Sequence, residues 1–257
     1  MLDSQDERPV RRRTAGRTRT RRYQVKARSA EDQEQLRQRF IDVGRQLLNE
    51  SPDGQVSLRQ IARVAGYSPS ALYRYFPTKA ALVYAVREDH LRLSTEFVRA
   101  EVAAVTDPLA RFCVGFEAMV AFWARHPLDF LRLFSYRVPG SEPAGPTLSD
   151  SSITAAARSI KRDLVFDLFL ARGVEPADDL LKLLTESAMV ASHGVISVPL
   201  GSPSMKYCSP GELARSVVAS MTAGWLAFIA AHGTTPPGQV ASAEDYLRFC
   251  AGVGRPA

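Results

Sequence analysis

Two polar side chains, Ser70 and Arg74, share one face of a short predicted helix and can hydrogen-bond to the edges of DNA bases. At ~100° per residue, Leu72 and Phe76 lie on the opposite face, where they can pack against a neighbouring helix. An arginine projecting near the start of such a helix can donate two hydrogen bonds to guanine O6 and N7, worth about 1–3 kcal/mol of base discrimination. This spacing predicts a DNA-reading surface. The plain alternative is a generic helical hairpin with exposed tyrosines.

Capping signals mark the helices that must position this surface. Ser57, with Gln60 three residues later, has the pattern of a capping box and opens a short helix. Gly66 ends that helix, because glycine tolerates the positive φ that a tight turn requires. Ser68 is a good N-cap for the next helix, and Pro69 fits its first position, where a missing N–H costs nothing. Two short helices joined by a glycine-containing turn predict a helix-turn-helix.

The rest of the chain is also predicted to be helical. A first helix opens at Ser29, with Asp32 three residues later completing a capping box. Another helix runs from about Lys79 into the nineties. Five further helices are predicted near 108–125, 127–136, 152–171, 177–198 and 211–232, with loops at 138–151 and 199–210. The expected fold is all-α, with a three-helix helix-turn-helix domain followed by a helical bundle. The expected boundaries are a basic arm over 1–28, a DNA-binding domain over 29–90 and a ligand-binding and dimerisation domain over 91–257.

The run from Ser57 to Leu82, SLRQIARVAGYSPSALYRYFPTKAAL, resembles the DNA-binding domain of the TetR family of regulators, and the resemblance extends over about 30–88. It implies that Ser57 and Tyr73 meet phosphates, that Arg59 reaches a base and that Lys79 lies on the DNA backbone. Together with Ala71, whose small side chain permits close approach to base edges, the candidate DNA-binding residues are Ser57, Arg59, Ser68, Ser70, Ala71, Tyr73, Arg74, Tyr75 and Lys79. Two positions depart from the family pattern. Tyr67 stands where a smaller aliphatic residue is usual, and Ala80 replaces a common acidic residue.

The positive charge is concentrated ahead of this domain. The chain has a net charge of +6, yet ten of its 33 Lys and Arg residues, and none of its 27 Asp and Glu residues, lie between Arg8 and Ala30. The remainder is therefore mildly acidic. An arm with so few apolar residues is expected to be disordered and to suit a polyanion, including the minor groove beside the recognition helix. A solubilising leader is the alternative.

Aromatic residues are concentrated in the C-terminal part. Phe112, Phe116, Met119 and Trp123 follow spacings of four, three and four, so they share one helix face. A plain core explains most of them, whereas the family resemblance implies that a subset lines a cavity for a small apolar effector. The candidate ligand-binding residues are Phe112, Phe116, Met119, Trp123, Phe166 and His193.

His193 lies in a segment, 186–196, that resembles the Trp-His-Gly segment of one C-terminal subtype of these regulators, with Ser192 in place of the tryptophan. A structural histidine at a helix contact is the alternative to a ligand contact there. The resemblance also implies that the last two long helices pair with their symmetry mates as a four-helix bundle. A twofold dimer of this kind predicts a palindromic operator.

Several classes of function are disfavoured. No G-x-S-x-G, G-x-G-x-x-G, P-loop or H-E-x-x-H motif occurs, so an enzyme is not expected, and no cofactor or metal is expected either. The longest uncharged stretch, 216–231, is shorter than the ~20 residues of a membrane span. Three scattered cysteines and the lack of a signal peptide favour the cytoplasm. The expected function is a DNA-binding transcriptional regulator, most simply a ligand-responsive repressor. A sequence-tolerant architectural DNA-binding protein is the rival.

Overall fold

The computed structural model describes residues 29–51, 56–134, 151–236 and 238–253. Within these ranges the chain forms ten helices and no strand, apart from a single bridge between Pro176 and Ala241. The all-α prediction is confirmed. The helices are α1 (Ala30–Glu50), α2 (Leu58–Ala65), α3 (Pro69–Tyr73), α4 (Lys79–Val102), α5 (Pro108–Arg125), α6 (Pro127–Phe134), α7 (Ser152–Leu170), α8 (Asp178–Gly201), α9 (Pro210–His232) and α10 (Ala243–Gly252). The expected basic arm and most of the expected 138–151 loop lie outside the described residues.

Two separate clusters of buried apolar side chains organise the helices. The N-terminal cluster joins α1, α2, α3 and the first turns of α4 around Phe40, Ile61, Leu72 and Leu82. The second, larger cluster is built around α5, which packs against α4, α7, α8 and α9. Helix α4 contributes to both clusters, with Leu82 in the first and Val98 in the second. Helix α4 is therefore a continuous element between α1–α3 and the bundle.

The end of α8 differs from the sequence prediction. Helix α8 continues to Gly201 with Pro199 inside it, although proline was expected to start a loop. Pro199 lacks the N–H that would donate within α8, and the helix ends two residues later at Gly201.

Helix α10 was not predicted. Ser242 and Asp245 form a capping box at its start, and Tyr246 and Phe249 pack against Phe228 with ring centroids 5.2 and 5.6 Å away. The Ser-x-x-Asp pattern was visible in the sequence, but this ten-residue helix needs contacts with α8 and α9 to be stable.

Helices α8 and α9 are long and apolar enough to cross a membrane by length and composition alone. The sequence analysis expected no such segment. Apolar helices that pack in the core of a soluble protein satisfy the same criterion. In their most apolar windows only 28% of α8 and 33% of α9 is buried within this chain, so both helices present apolar surface outward.

Candidate functional site

The turn between α2 and α3 has the geometry that a helix-turn-helix requires. Gly66 adopts φ 87° and ψ 16°, in the left-handed region that a side chain would disfavour. The backbone N–H groups of Gly66 and Tyr67 donate to the carbonyls of Arg63 and Ala62, at 3.2 and 2.9 Å, closing the end of α2. The chain can therefore reverse within a few residues and start α3 at a fixed angle to α2.

Helix α1 braces this turn from behind. The ring of Phe40 is fully buried and contacts Tyr67 and Tyr75, with centroid distances of 5.5 and 5.8 Å. Arg39 Nε donates to the carbonyl of Ala65 at 3.1 Å, satisfying an acceptor at the C-terminus of α2. The unusual Tyr67 thus has a packing role, since its ring fills the space between α1 and the turn.

The polar face of α3 that is predicted to contact DNA bases is exposed, and the apolar residues on its opposite face are buried. Leu72 and Phe76 are 0% and 3% accessible, whereas the side chains of Ser70 and Arg74 are exposed. Helix α3 ends at Tyr73, earlier than expected, and Arg74 is its C-cap in a right-handed helical conformation. Helix α3 has only five residues, so Arg74 at its C-terminal end is only six residues from the N-cap Ser68 at its start.

The other candidate DNA-binding residues surround this face. Ser57, Arg59, Tyr73 and Lys79 are exposed, and Ser68, Ala71 and Tyr75 are partly exposed. The hydroxyls of Ser57 and Ser68 accept hydrogen bonds from the backbone N–H groups of Gln60 and Ala71, at 3.1 and 3.3 Å. Both serines therefore hold the starts of α2 and α3 through their oxygen atoms.

A cavity lies inside the second cluster, between α4, α5, α7 and α8, with Phe134 at the end of α6. The space open to the centres of water-sized molecules is about 40 Å³. Most of its wall is apolar, and the lining residues are Leu91, Ser94, Thr95, Val98, Phe112, Gly115, Phe116, Met119, Trp123, Phe134, Ala157, Ile160, Lys161, Leu164, Thr185, Ala188, Met189 and His193. Gly115 permits the close approach of α7, since a Cβ atom there would lie 2.7 Å from Leu164 Cδ1.

The structure brings five of the six candidate ligand-binding residues to this cavity. Phe112, Phe116, Met119 and Trp123 line it from α5, and His193 lines it from α8. Phe166 does not line the cavity, which corrects its place among the candidates. It follows Leu164 by two residues, so it points about 200° away around α7 and packs on another side of the cluster.

Lys161 and His193 are the ionisable residues of the cavity wall. Burial, with a smaller contribution from Arg158, lowers the pKa of the Lys161 ammonium to about 8. Burial and the nearby Lys161 lower the pKa of His193 to about 4, so the imidazole is neutral near pH 7. The His193 ring packs against Phe134 and Phe130, with centroids 4.2 and 5.4 Å apart. Sequence reasoning missed Lys161, although a lysine in the apolar stripe of Ala157, Ile160 and Leu164 was a visible signal.

Helix α6 connects the cavity region with the end of α1. The Arg132 guanidinium donates to the backbone carbonyl of Leu48 and to the side-chain oxygen of Asn49. Asn49 Nδ2 in turn donates to Asp129 Oδ2 at 3.1 Å. Two turns of α6 therefore carry Phe134, which lines the cavity, and polar groups that bind the C-terminal end of α1. No pattern in the sequence indicated these contacts, which join residues about 80 positions apart.

His90, His126 and Asp129 form a small polar cluster beside this contact. Their nitrogen and carboxylate atoms lie within 4.8 Å of one another, an arrangement that could hold a metal ion. His90 Nδ1 is 3.3 Å from Asp129 Oδ1, but burial outweighs that carboxylate and lowers the pKa of His90. The Arg45 guanidinium lowers the same pKa, and this nearby positive charge also disfavours a cation. The cluster is best described as part of the packing between α4 and α6.

Helices α8 and α9 present an outer surface of small and apolar side chains. Val190 and Val198 of α8 are 68% and 52% accessible. On α9 the exposed positions are mostly small, and they include Ser216, Ala219, Ser220, Ala223, Gly224, Ala227 and Ala230. Small residues let two helix backbones approach closely, so this surface is suited to packing against another pair of helices.

Comparisons with known proteins relate the helix-turn-helix segment to one family and the helical fold to solved structures. The sequence pattern described as bacterial regulatory proteins, tetR family, matches residues 40–86, which include α2, α3 and the Gly66 turn. Two HTH-type transcriptional regulators from strains of Mycobacterium tuberculosis are 28% identical over 130 residues. This match covers 50% of this chain, which spans only 64% of the length of those relatives.

Solved structures extend the likeness in fold to the bundle. A tetR-family transcriptional regulator from Streptomyces coelicolor superposes with a TM-score of 0.57 at 20% identity, covering 85% of this chain and 89% of its own. AibR, solved in complex with isovaleryl coenzyme A and operator DNA, gives a TM-score of 0.51 at 14% identity, covering 72% of this chain and 97% of its own. The helix-turn-helix segment therefore matches the TetR family of bacterial regulatory proteins over residues 40–86, and the described helices share the fold of these solved structures.

Proposed function

We propose that this protein is a ligand-responsive transcriptional regulator that binds a palindromic operator as a homodimer. The observation that carries the proposal is the exposure of Ser70 and Arg74 above the buried anchors Leu72 and Phe76. An exposed arginine on a helix braced by α1 can enter a major groove and donate to guanine. The family assignment supports a regulator rather than an enzyme. Repression is the simplest form of regulation, with binding to the operator blocking transcription in the cytoplasm.

The homodimer is supported by the outer surface of α8 and α9. Both helices leave most of their apolar windows unburied within one chain, and a second copy would cover them in an isologous four-helix bundle. Twofold symmetry would place two α3 helices on successive major-groove faces, about one helical turn of DNA apart. A palindromic operator follows from that symmetry.

The response to a ligand is supported by the cavity and by its neighbour α6. A ligand that displaces Phe134 would shift a helix whose Arg132 holds the end of α1. The distance between the two α3 helices of a dimer would then no longer match the operator. A hundredfold loss of operator affinity requires only ~2.7 kcal/mol of coupling, within the usual allosteric range.

Selection from random duplex DNA tests the regulator. The full-length protein should enrich a palindromic sequence and bind it at least ~10³-fold more tightly than unrelated DNA. Arg74→Ala should lose roughly thirtyfold or more of that preference, because the homodimer loses one base contact in each half-site, each worth about 1–3 kcal/mol. The matched control is Arg99→Ala, which removes an equally charged, exposed side chain from α4 and should leave selection unchanged.

The alternative outcomes separate the candidate functions. Enrichment of no sequence, with tight binding to all duplexes, would favour an architectural DNA-binding protein. Full operator preference in Arg74→Ala would remove the basis of the proposed reading face.

A further inference from the structure

Lys161 lies on the face of α7 whose other residues are apolar. Ala157, Ile160, Lys161 and Leu164 follow each other at spacings of three, one and three, and all four line the cavity. Exposed positions are available within two residues, since Arg162 and Asp163 on the same helix face solvent. The lysine therefore lies on the inner face of α7, and its ammonium is held among protein atoms at the cavity.

The ammonium of Lys161 has no negative partner in the described part of the chain. None of the cavity-lining residues is acidic, and no described carboxylate forms a hydrogen bond or ion pair with this lysine. Desolvation by burial is the main cause that lowers its pKa, and the positive charge of Arg158 acts in the same direction. An unpaired cation in an apolar site is costly unless a bound group of opposite charge compensates it.

The hydroxyls of the wall are uncharged, so they do not supply a negative charge to compensate Lys161. Thr95 and Thr185 donate to the carbonyls of Leu91 and Leu181 of their own helices, at 2.8 and 2.7 Å. The neutral His193 imidazole lies close enough to Lys161 to be affected by its charge, and it can donate one N–H to a ligand oxygen. The cavity thus offers hydrogen-bond donors at Lys161 and His193 and apolar surface over most of the rest of its wall.

We propose that the effector is an amphipathic organic acid whose carboxylate pairs with Lys161 and whose apolar body lies against the α5 aromatics. This inference rests on the proposed ligand response and defines the chemical class of its ligand. The carboxylate would accept charge-assisted hydrogen bonds from the ammonium in a water-poor site, where such bonds are strong. Phe112, Phe116 and Trp123 would contact the hydrocarbon.

The cavity must enlarge to take up such a molecule. Its open space of about 40 Å³ corresponds to roughly three water molecules. Met119, Met189 and Phe134 form part of the wall, and unbranched methionine side chains repack at low cost. Movement of Phe134 on ligand entry would be transmitted directly to α6.

Titration calorimetry on the full-length protein, without DNA, tests the ligand class. The probes are the straight-chain acids hexanoate, octanoate and decanoate, together with the alcohols and amines of the same chain lengths. At pH 7 the best acid should bind at least ~10-fold more tightly than its matched alcohol, because only the carboxylate forms a hydrogen bond with Lys161 in which both groups are charged. The matched amine should bind more weakly than the alcohol.

Two lysine variants locate the charge. Lys161→Met should bind the acid no better than the alcohol, because the cation is replaced by an apolar side chain of similar length and the carboxylate loses its partner. Lys182→Met removes an exposed lysine from α8 and should keep the full preference for the acid. Acids bound no better than alcohols in the wild-type protein would overturn the proposal without use of any variant. Retention of the preference in Lys161→Met, or binding of none of the acids, would also overturn it.

The failure of this inference differs from failure of the proposed function. A protein that selects an operator but shows no preference for acids remains a regulator with another class of effector. A protein that prefers acids through Lys161 but selects no DNA sequence would bind the ligand as inferred and lack the proposed function.

Discussion

The helix-turn-helix and the cavity use polar side chains in opposite ways. In α3 the apolar residues Leu72 and Phe76 point inward, and the polar residues Ser70 and Arg74 point to solvent. In α7 a cation, Lys161, points inward among apolar side chains. The first arrangement costs no stability, because every polar group stays hydrated until DNA replaces the water. The second destabilises the empty protein, and a cost of this kind is typical of functional sites.

The two kinds of site should therefore respond differently to substitution of their polar residues. A surface reader should lose function without losing stability when its polar residues are changed. A buried charge should show the reverse, gaining stability as it loses ligand recognition.

Leu72→Ala and Tyr73→Ala test the division between anchor and reader in adjacent residues. Leu72 is fully buried, so its truncation should lower the free energy of unfolding by about 2–5 kcal/mol through loss of packing and a residual cavity. Tyr73 is 43% accessible, and its truncation should change stability by less than ~0.5 kcal/mol while weakening DNA binding. Urea denaturation and operator binding measure the two effects. Equal destabilisation by both variants would contradict the exposed position of Tyr73.

Lys161→Met should stabilise the ligand-free protein at pH 7. The pKa of Lys161 is about 8 in the folded protein and 10.5 without its surroundings, so the unfolded chain binds its proton more tightly. The expected gain is about 1–3 kcal/mol, reduced from the full shift because water reaches the cavity.

The pH dependence of this gain has a defined sign. Below about pH 8 the lysine is charged in both states and the gain is complete. Between 8 and 10.5 the folded protein releases its proton first, wild-type stability rises relative to the variant, and the gain declines. Denaturation midpoints across this range measure it. A variant no more stable than wild type at pH 7 would show that the ammonium is well hydrated.

Deletion of residues 1–28 should weaken operator binding about tenfold at moderate salt and flatten its salt dependence. Ten basic residues lie between Arg8 and Ala30, and each phosphate contact that is lost lowers the slope of log affinity against log salt by ~0.9. Affinities measured at several salt concentrations test this expectation. An unchanged slope would identify the arm as a solubilising leader.

Arg132→Ala should weaken the communication between the two sites more than it weakens either site. The side chain binds Leu48 and Asn49 at the end of α1, and it is not among the residues that line the cavity. The factor by which an effector lowers operator affinity should fall by an amount equivalent to about 0.5–2 kcal/mol. Arg99→Ala is the matched control. Unchanged coupling in Arg132→Ala would exclude this contact as the route between the cavity and α1.

Sequence patterns sufficed for the helix-turn-helix because its determinants are local. The caps at Ser57 and Ser68, the turn at Gly66 and the alternation of Leu72 with Arg74 all lie within about twenty consecutive residues. Helical periodicity converts such spacing into a face without knowledge of the rest of the chain. Even there the end of α3 was placed too late, since helix ends depend on the next element.

Only the tertiary structure decided which side chains meet in the bundle. The same periodicity that grouped Phe112, Phe116 and Trp123 could not separate a solid core from a cavity, nor exclude Phe166 from its wall. Lys161 and His193 come together across 32 residues, and Arg132 reaches the end of α1 across more than 80. Contacts of this kind depend on how whole helices pack, and no local spacing in the sequence encodes that packing.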